Sequence, residues 1–331
     1  MNIRESYEKK ELTYLSSNAV LSSNTLGRKQ DEEKCPIRTD FQRDRDRIIH
    51  SKAFRRLKHK TQVFISPEGD HYRTRLTHTL EVSQVARSIS RALSLNEDLT
   101  EAIALAHDLG HTPFGHSGEK VLNDLCTKGF KHYIQSLRVV EHLEPLNLTY
   151  EVKDGIINHS SSKMAKTFEG RVVRVADKIA YINHDNDDAI RARVISEDML
   201  PCEAIRVLGS GPSSRINSMI TNVINNYNEN GKVDFYGEVG EVIWSLREYM
   251  FSNVYIGSKA KEEEEKAMNI LNQMYKYYLD NPSKLPKEFF NNINRYGLDT
   301  VVCDYLAGMT DRYAMSEFLN IFAPTPWSKI Y

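Results

Sequence analysis

The sequence predicts an almost entirely α-helical protein, for three reasons. Apolar residues recur at helical spacing in several long segments, strand-like alternation is sparse, and Gly- or Pro-containing breaks separate segments of helical length. The 331 residues are enough for one large domain or two modest ones. We divide them into an N-terminal arm (residues 1–40), a helical core (41–200) and a C-terminal helical region packed on that core (201–331).

Residues 1–40 are polar and contain frequent breaks, which indicates an extended arm with short helical pieces. Phe41–Phe64 has an apolar stripe on one side and bases on the other, and it predicts one helix. Leu76–Leu93 repeats its apolar residues at i, i+3 and i+4, so it predicts another helix, with His78 on or beside the buried stripe.

Gly170–Ala192 predicts a strongly apolar helix that contains an unexpected carboxylate, Asp177. An unpaired carboxylate buried there would be expensive, so Asp177 should have a cation or a donor. Asp177, Tyr181 and Asp185 are spaced at i, i+4 and i+8 and share one helix face.

Composition bounds the function. Hydrophobic residues make up 40% of the chain and charged residues 27%. The formal net charge is −1, so the protein as a whole does not carry the positive charge that attracts nucleic acid. Arg43–Arg75 is a local exception, with ten bases against four acids, and this surplus suits a polyanion.

The four cysteines form no CxxC pair, which favours a reducing compartment without a disulfide framework or a cysteine metal site. The N-terminus has no apolar leader segment and the chain has no 18-residue apolar run. We therefore expect a cytoplasmic protein without a membrane partner.

The stretch Glu101–Glu119 concentrates groups that carry chemistry. It begins as an apolar helix and then presents three imidazoles and two carboxylates, at His107, Asp108, His111, His116 and Glu119. A single histidine on an apolar helix face is more often a hydrogen-bonded core residue, but this density favours a site. Imidazole and carboxylate together are the ligand set of Mn, Fe, Ni, Zn or Mg-like ions.

Four residues could form a metal cage: His78, His107, Asp108 and Asp177. They offer two nitrogens and two carboxylates from helices with apolar inward faces. Such a cage is nearly neutral with a divalent ion and leaves room for water and a phosphate oxygen.

The H…HD…D order of these four residues is the signature of the HD phosphohydrolase superfamily. The blocks YRTRLTH, HDLGHTPFGHSGE and ADKIAYINHDNDDAIRA closely resemble those of the deoxynucleoside triphosphate triphosphohydrolases, or dGTPase-like proteins. The resemblance covers Lys34–Arg193 densely and returns at Ala307–Ala314 (AGMTDRYA). It implies that residues 41–200 form an HD-type helical core.

The resemblance also implies roles. It places one divalent ion (Mn, Mg, Fe, Ni, Co or Zn) on the four predicted ligands. The implied catalytic residues are His111, Glu119, His116 and His132. The implied substrate contacts are Gln62, Arg75, Lys178, Tyr181 and Asp185. One departure is that Tyr133 and Ile134 replace the polar residues usual after His132.

The implied reaction is hydrolysis of a deoxynucleoside triphosphate to deoxynucleoside and inorganic tripolyphosphate. We assign the acid–base work to His111, oriented by Glu119, and substrate contact to His116, while the identity of the histidine that donates the proton stays open.

Two other interpretations remain open at this point. The chain could be another HD-type nucleotide phosphohydrolase, such as a deoxynucleotidase or phosphodiesterase. It could instead be a regulatory protein that binds nucleotides or single-stranded DNA and retains the metal site. Relatives also imply a homo-oligomer and an activating nucleotide or single-stranded DNA as partners.

Overall fold

The computed structural model describes residues 1–62, 73–255 and 260–324 (255 and 260–262 as backbone). Within these ranges the regular structure is helical, with two isolated β-bridges, so the predicted all-α class is confirmed. The helices are α1 (Ile3–Tyr14), α2 (Asp40–His50), α3 (Lys52–Arg56), α4 (Arg75–Ala92), α5 (Glu97–Ala106), α6 (Gly115–Leu125), α7 (His132–Arg138), α8 (Tyr150–Asn158), α9 (Phe168–Arg191), α10 (Cys202–Leu208), α11 (Pro212–Asn230), α12 (Gly237–Met250), α13 (Ala260–Asp280), α14 (Lys287–Phe290), α15 (Ile293–Tyr296), α16 (Leu298–Ala307) and α17 (Asp311–Phe322). Each helix in the described ranges is too short or too polar to cross a membrane.

The single helix predicted for Phe41–Phe64 is wrong, because the chain turns at Ser51 between α2 and α3. The Ser51 hydroxyl accepts a hydrogen bond from the Phe54 N–H (3.1 Å) and donates one to the Ile48 carbonyl (2.8 Å). Ser51 therefore ends α2 and caps α3. Its hydroxyl competes for backbone hydrogen bonds, and the spacing of apolar residues does not reveal this. The part of this segment beyond residue 62 lies outside the described residues.

Helix α5 is the centre of the first hydrophobic core. It packs against α2, α4, α8 and α9. Leu99, Ala102 and Ile103 have no exposed surface. A Cβ on Gly155 of α8 would lie 2.6 Å from Ile103 atoms, so α8 approaches α5 closely. The C-terminal end of α5 thus enters the middle of the bundle, which is where His107 follows it.

The described part of residues 201–331 packs against the rest of the protein through two groups of helices. Helix α11 packs against α9 and α4 and belongs to the first core. Helices α13, α16 and α17 form a second core with α6, through buried residues such as Leu122, Leu271, Val302 and Leu306. The second core therefore rests on the helix that follows the histidine-rich loop.

The N-terminal arm is more structured than expected. It contains the 12-residue helix α1 and is tied to the core by buried polar contacts. Arg28 pairs with Asp44 and, at 3.3 Å, with Asp40. Glu11 accepts hydrogen bonds from the Ser22 N–H and hydroxyl, both at 2.7 Å.

The expectation of no disulfide is wrong for one pair of cysteines. Cys126, at the end of α6, is bonded to Cys303 on α16, with Cα atoms 6.6 Å apart. The two residues are separated by 177 positions, and sequence spacing does not show that the second core brings them together. Cys35 and Cys202 are free.

Glu169, in the first turn of α9, links three parts of the fold. Its Oε1 accepts hydrogen bonds from the Val20 N–H of the arm and the Asn96 N–H at the start of α5, both at 3.0 Å. The side chain is fully buried and its Oε2 has no hydrogen-bond partner. Burial raises the pKa of Glu169 to about 7.

We expect Glu169 to make folding less favourable as pH rises. Between pH 4.5 and 7 the unfolded chain ionises this residue while the folded chain keeps it protonated. The free energy of unfolding therefore falls as the pH rises from 4.5 to 7, and this contribution is lost once the folded protein ionises as well. Glu169→Gln retains the Oε1 acceptor without ionising. In chemical denaturation from pH 4.5 to 8, the variant should lose about 2–3 kcal/mol less than wild type. Parallel stability curves for the two proteins would contradict this assignment.

Candidate metal centre and active site

The structure brings the four predicted ligands together from three helices. His78 lies on α4, His107 and Asp108 follow α5, and Asp177 lies in the middle of α9. The His78 Nε2 lies 3.1 Å from the Asp177 Oδ1, and the His107 Nε2 lies 3.8 Å from the same oxygen. The Asp108 Oδ2 is 3.6 Å from the His107 Nε2. Packing of α4 and α9 against α5 therefore assembles the cage.

His107 is oriented by the helix that precedes it. Its Nδ1 donates to the Ala104 carbonyl at 2.7 Å, so its Nε2 is the atom directed at the cage. That Nε2 has no hydrogen-bond partner, although it is buried. A backbone carbonyl that fixes the tautomer of a histidine is the usual second-shell arrangement of a metal ligand.

The electrostatics favour the protonation states that a metal ion requires. Burial would raise the pKa of Asp177, but the His78 hydrogen bond and the charge of His107 hold it well below its usual value. Burial likewise opposes ionisation of Asp108, and His107 and Arg75 overcome it and lower the pKa. Burial lowers the pKa of His78. Two charged carboxylates and the neutral imidazole of His78 therefore lie close to the His107 Nε2, and this donor set fits a divalent ion.

The loop after His107 is held against α7. Ser136 donates to the His107 carbonyl (2.7 Å) and accepts from the Gly110 N–H (2.9 Å). A Cβ on Gly110 would lie 2.1 Å from the Ser136 nitrogen, so only glycine permits this approach.

The same loop is tied to the C-terminal helices by a buried lysine. The Lys60 ammonium donates to the His111 carbonyl and, at 2.8 Å, to the Ala307 carbonyl at the end of α16. Burial lowers the pKa of Lys60 to about 7. In the sequence Lys60 is one of the ten bases of Arg43–Arg75, and nothing in that pattern indicates this structural role.

Asp311, at the start of α17, holds the other end of the loop. Its carboxylate accepts from the Phe114 N–H at 3.0 Å and from the Thr61 N–H at 2.9 Å. Phe114 is left-handed (φ 61°), a conformation that costs free energy in a non-glycine residue. The hydrogen bond that Phe114 donates to Asp311 stabilises that turn.

The predicted pairing of Glu119 with His111 is wrong, because Glu119 pairs with His132. The Glu119 Oε2 lies 3.0 Å from the His132 Nδ1, and Oε1 accepts from the His132 N–H at 3.1 Å. His111 stacks on His132 with ring centres 4.9 Å apart, and neither of its ring nitrogens has a hydrogen-bond partner. His116 lies 3.8 Å from Glu119 with 81% of its side chain exposed.

The charges of this pair follow from their contact. Burial would lower the pKa of His132, but its hydrogen bond and attraction to Glu119 raise it. Burial would raise the pKa of Glu119, but its contact with His116 and its hydrogen bonds with His132 hold it far below the usual value. Glu119 is therefore a carboxylate, and its contact with His132 favours the protonated form of that imidazole.

The sequence interpretation missed His159, which lies at the end of α8. Its Nδ1 donates to the Ile156 carbonyl at 2.7 Å, as the His107 Nδ1 does to the Ala104 carbonyl. The His159 Nε2 lies 3.3 Å from the His132 Nε2, and its ring centre lies 5.0 Å from that of His107. The available signal was its position three residues after Ile156, on the buried face of α8.

The two unusual residues after His132 do not disturb the neighbouring contacts. Ile134 is 52% exposed. Tyr133 meets the His132 ring edge-on, with centres 5.7 Å apart. Gln135 is buried and donates to Asp304 at 2.9 Å.

Two of the predicted substrate residues, Arg75 and Gln62, have buried atoms that find no hydrogen-bond partner among the described residues. Arg75 Nη1 donates to the Asp108 Oδ2 at 2.6 Å, while its Nε and Nη2 have no acceptor. The Gln62 Oε1 is also without a partner. The backbone carbonyl of Gln62 and Arg75 Nη2 would lie 3.4 and 3.7 Å from a Cβ on Gly115, so both residues border the start of α6.

The other three predicted substrate residues lie on α9 beyond Asp177. Burial lowers the pKa of Lys178 and raises that of Tyr181 to about 12. Asp185 is buried, and burial with the nearby Asp188 carboxylate raises its pKa well above the usual value. Asp177, Tyr181 and Asp185 thus continue along one helix from the cage.

The basic stretch is largely paired with acids from elsewhere in the chain. Arg43 and Arg47 pair with Glu32 at 3.0 and 2.5 Å. Arg56 pairs with Glu144 at 2.8 Å. The local surplus of bases therefore serves mainly to join the arm and α2–α3 to the core.

Two family models match the chain. Residues 75–182 match the HD domain, and residues 233–320 match the phosphohydrolase-associated domain. The first match contains all four cage residues, and the second contains α16 and most of α17.

Similar proteins cover nearly the whole chain. A deoxyguanosinetriphosphate triphosphohydrolase-like protein of Caldanaerobacter subterraneus subsp. tengcongensis is 60% identical over 333 residues, covering 99% of this chain and 98% of the relative. Proteins described in the same words from Clostridium perfringens and Desulfatibacillum aliphaticivorans are 51% and 49% identical, each over 98% of this chain and at least 98% of the relative.

A solved structure supports the fold alone. The crystal structure of a hypothetical protein from Aquifex aeolicus matches with a TM-score of 0.50 and 20% identity, covering 84% of this chain and 71% of that one. The cage, the HD-domain match and the full-length relatives agree. The chain therefore belongs to the HD-domain family of deoxyguanosinetriphosphate triphosphohydrolase-like proteins, which are metal-dependent nucleotide phosphohydrolases.

Proposed function

We propose that this protein hydrolyses a deoxynucleoside triphosphate, such as dGTP, to deoxynucleoside and inorganic tripolyphosphate. The observation that supports it is the convergence of a divalent-ion cage, an arginine with unused donors and a carboxylate–histidine pair at one buried point. The relatives' name points to the same substrate class.

His78, His107, Asp108 and Asp177 are the residues that would hold the metal ion. When bound, a divalent ion at these ligands polarises phosphate oxygens and makes nearby water more acidic. Ion types that accept both imidazole and carboxylate, such as Mn, Fe, Co, Ni or Zn, suit this set better than Mg, which prefers oxygen.

The cationic side chains bind the triphosphate. One nitrogen of Arg75 is held by Asp108, which orients the guanidinium, and its unpaired Nε and Nη2 are donors for phosphate oxygens. Lys178 supplies a second positive charge next to Asp177 in the chain. These contacts position the phosphorus and stabilise the charge that develops there, which is most of what phosphoryl transfer needs.

Gln62, Tyr181 and Asp185 are assigned to the deoxyribose. The Gln62 Oε1 is a buried acceptor without a protein partner. The raised pKa values keep Tyr181 a neutral phenol and favour a protonated Asp185, so both offer hydroxyl donors to a sugar.

Leaving-group protonation is assigned to His132, held by Glu119. Water attacks the α-phosphorus and loses a proton to solvent, the bond from phosphorus to the 5′-oxygen breaks, and the 5′-oxygen takes a proton from His132. Solvent then returns a proton to His132. Glu119 is the positioning residue, since it fixes the ring and favours the imidazolium. His111, stacked on His132, and the exposed His116 are assigned to substrate contact.

The first test is product identification. Protein loaded with one divalent ion is incubated with each dNTP and each rNTP, and products are resolved by anion-exchange chromatography. We expect deoxynucleoside and tripolyphosphate in equal amounts from at least one dNTP. Orthophosphate or pyrophosphate as product would indicate a different phosphohydrolase, and binding without turnover would indicate a regulatory protein.

The second test concerns the proton donor. His132→Gln should lower kcat by about 10²–10⁴, because general acid catalysis is lost, while KM changes little. Glu119→Gln should lower kcat less, because the ring remains but its charge is less favoured. His142→Gln, which changes an exposed histidine outside the pocket, is the matched control. A larger loss of kcat in His111→Gln than in His132→Gln would move the donor to His111.

The third test concerns the cage. Asp177→Asn removes one of two carboxylates and should weaken Mn²⁺ binding by at least about tenfold, measured by isothermal titration calorimetry. Asp187→Asn, on the same helix and paired with Arg73 at 2.9 Å, is the control. Equal Mn²⁺ affinity in wild type and Asp177→Asn would contradict the proposed ligand set.

A further inference from the structure

Two neighbouring residues of α16 are connected to the two helices that carry the proposed proton donor and its carboxylate. Cys303 is bonded to Cys126, which directly follows α6, and α6 carries Glu119. Asp304 is the next residue, and it binds side chains of α7, whose first residue is His132. Helix α16 is therefore connected to both sides of the Glu119–His132 pair.

The contacts between Asp304 and α7 are charged and buried. The Asp304 Oδ1 accepts hydrogen bonds from the Gln135 Nε2 at 2.9 Å and from the Arg138 Nε at 2.7 Å. The Asp304 Oδ2 accepts a third hydrogen bond, from the Arg138 Nη2 at 2.6 Å. Because a carboxylate that binds a guanidinium at two points fixes direction as well as distance, these contacts set the orientation of α7 on α16.

The end of α6 is held to the same helix by a covalent bond and a hydrogen bond. Cys126 and Cys303 are both buried, so the disulfide lies inside the second core. The Thr127 N–H donates to the Asp299 carboxylate, in the first turn of α16, at 3.3 Å. Glu119 lies seven residues before Cys126, which is about two helical turns. Its distance from α16 is thus fixed through the end of its own helix.

The turn that joins α6 to α7 gives a competing account of how the pair is positioned. Within the described residues α6 packs mainly against α13, and α7 packs against α8. In the turn, at residues 127–131, the Gly129 N–H donates to the Cys126 carbonyl at 2.7 Å, and the Phe130 N–H donates to the Asn123 Oδ1 at 3.2 Å. The turn limits the separation of the two helices, whereas α16 contacts both of them beyond the turn.

We propose that Cys303 and Asp304 are positioning residues, which hold α6 and α7 in the arrangement that lets Glu119 bind His132. A hydrogen bond weakens steeply as its distance and angle depart from the optimum, so a small shift of either helix weakens the pair. The consequence for catalysis rests on the proposed function. The consequence for the contact between carboxylate and imidazole does not.

The first test observes that contact without measuring activity. In metal-free protein labelled with [15N]histidine, the His132 Nδ1 proton should give a downfield NMR signal, because the Glu119 carboxylate holds it. The signal is assigned by its loss in His132→Gln. We expect it to broaden or disappear in Asp304→Asn and in Cys126→Ser, since each variant removes one connection to α16.

Matched controls change the same residue types elsewhere. Glu317→Gln removes a carboxylate that accepts a hydrogen bond from the Tyr278 hydroxyl at 2.7 Å in the second core, and Cys202→Ser removes a free cysteine. Both controls should retain the signal. Wild type treated with dithiothreitol tests the disulfide without a substitution, and thiol titration follows the reaction. The unfolded protein should react with two equivalents of thiol reagent before reduction and four afterwards.

The second test is a double-mutant cycle in turnover, with the substrate identified by product analysis. Asp304→Asn should lower kcat by about 10–10²-fold through misplacement of the pair, while KM and Mn²⁺ affinity change little. In a Glu119→Gln background the same substitution should lower kcat by less than about threefold, because the pair is already broken. Equal losses in both backgrounds would indicate a general structural effect and overturn the proposal.

The NMR result has its own contrary outcomes. An unchanged signal in folded Asp304→Asn would overturn the role of Asp304. An unchanged signal in reduced wild type, or four reactive thiols before reduction, would overturn the role of Cys303. In either case the turn suffices at that position and the proposed function stands. Absence of dNTP hydrolysis by wild type would refute the proposed function, while the NMR signal would still decide whether α16 positions the pair.

Discussion

The structure depends on placing two charged carboxylates inside a helical bundle. Asp108 and Asp177 are held close to His78 and His107 by packing of α4 and α9 on α5. Burying such charges without compensation costs several kcal/mol each, so positive partners are required. Arg75 and the histidines supply part of that compensation, and a divalent ion held by these residues, as proposed above, would supply the rest.

The sequence was sufficient to predict the fold class and the proximity of the four cage residues, whereas their role as metal ligands stays a prediction. Helical periodicity places His78 and Asp177 on inward faces, and the HD pair follows directly after an apolar helix. These are local patterns, and the structure brings the residues together as expected. Ser51, in contrast, breaks a helix whose periodicity continues across it, because its hydroxyl competes for backbone groups.

The partner of Glu119 could not be predicted from the sequence. His116 is three positions away and His111 eight, while His132 is 13 positions away, past the end of α6. The turn after Cys126 brings α7 back beside α6, and distance along the chain gives no sign of it. The position of His159 beside His132 and the bond between Cys126 and Cys303 could not be predicted for the same reason, since both depend on contacts between elements far apart in the chain.

The HD domain and the phosphohydrolase-associated domain are separate in family models but share one set of buried polar contacts. Lys60 places its ammonium between the carbonyls of His111 and Ala307, and Asp311 reaches back to Phe114 and Thr61. Cutting the chain between the two matched ranges would leave a buried amine with half of its acceptors and a left-handed turn without its anchor. A chimera that combines the HD domain of one relative with the phosphohydrolase-associated domain of another should therefore fold only when the residues on both sides of this contact still fit each other. The modules recognised in sequence are not interchangeable parts of the molecule.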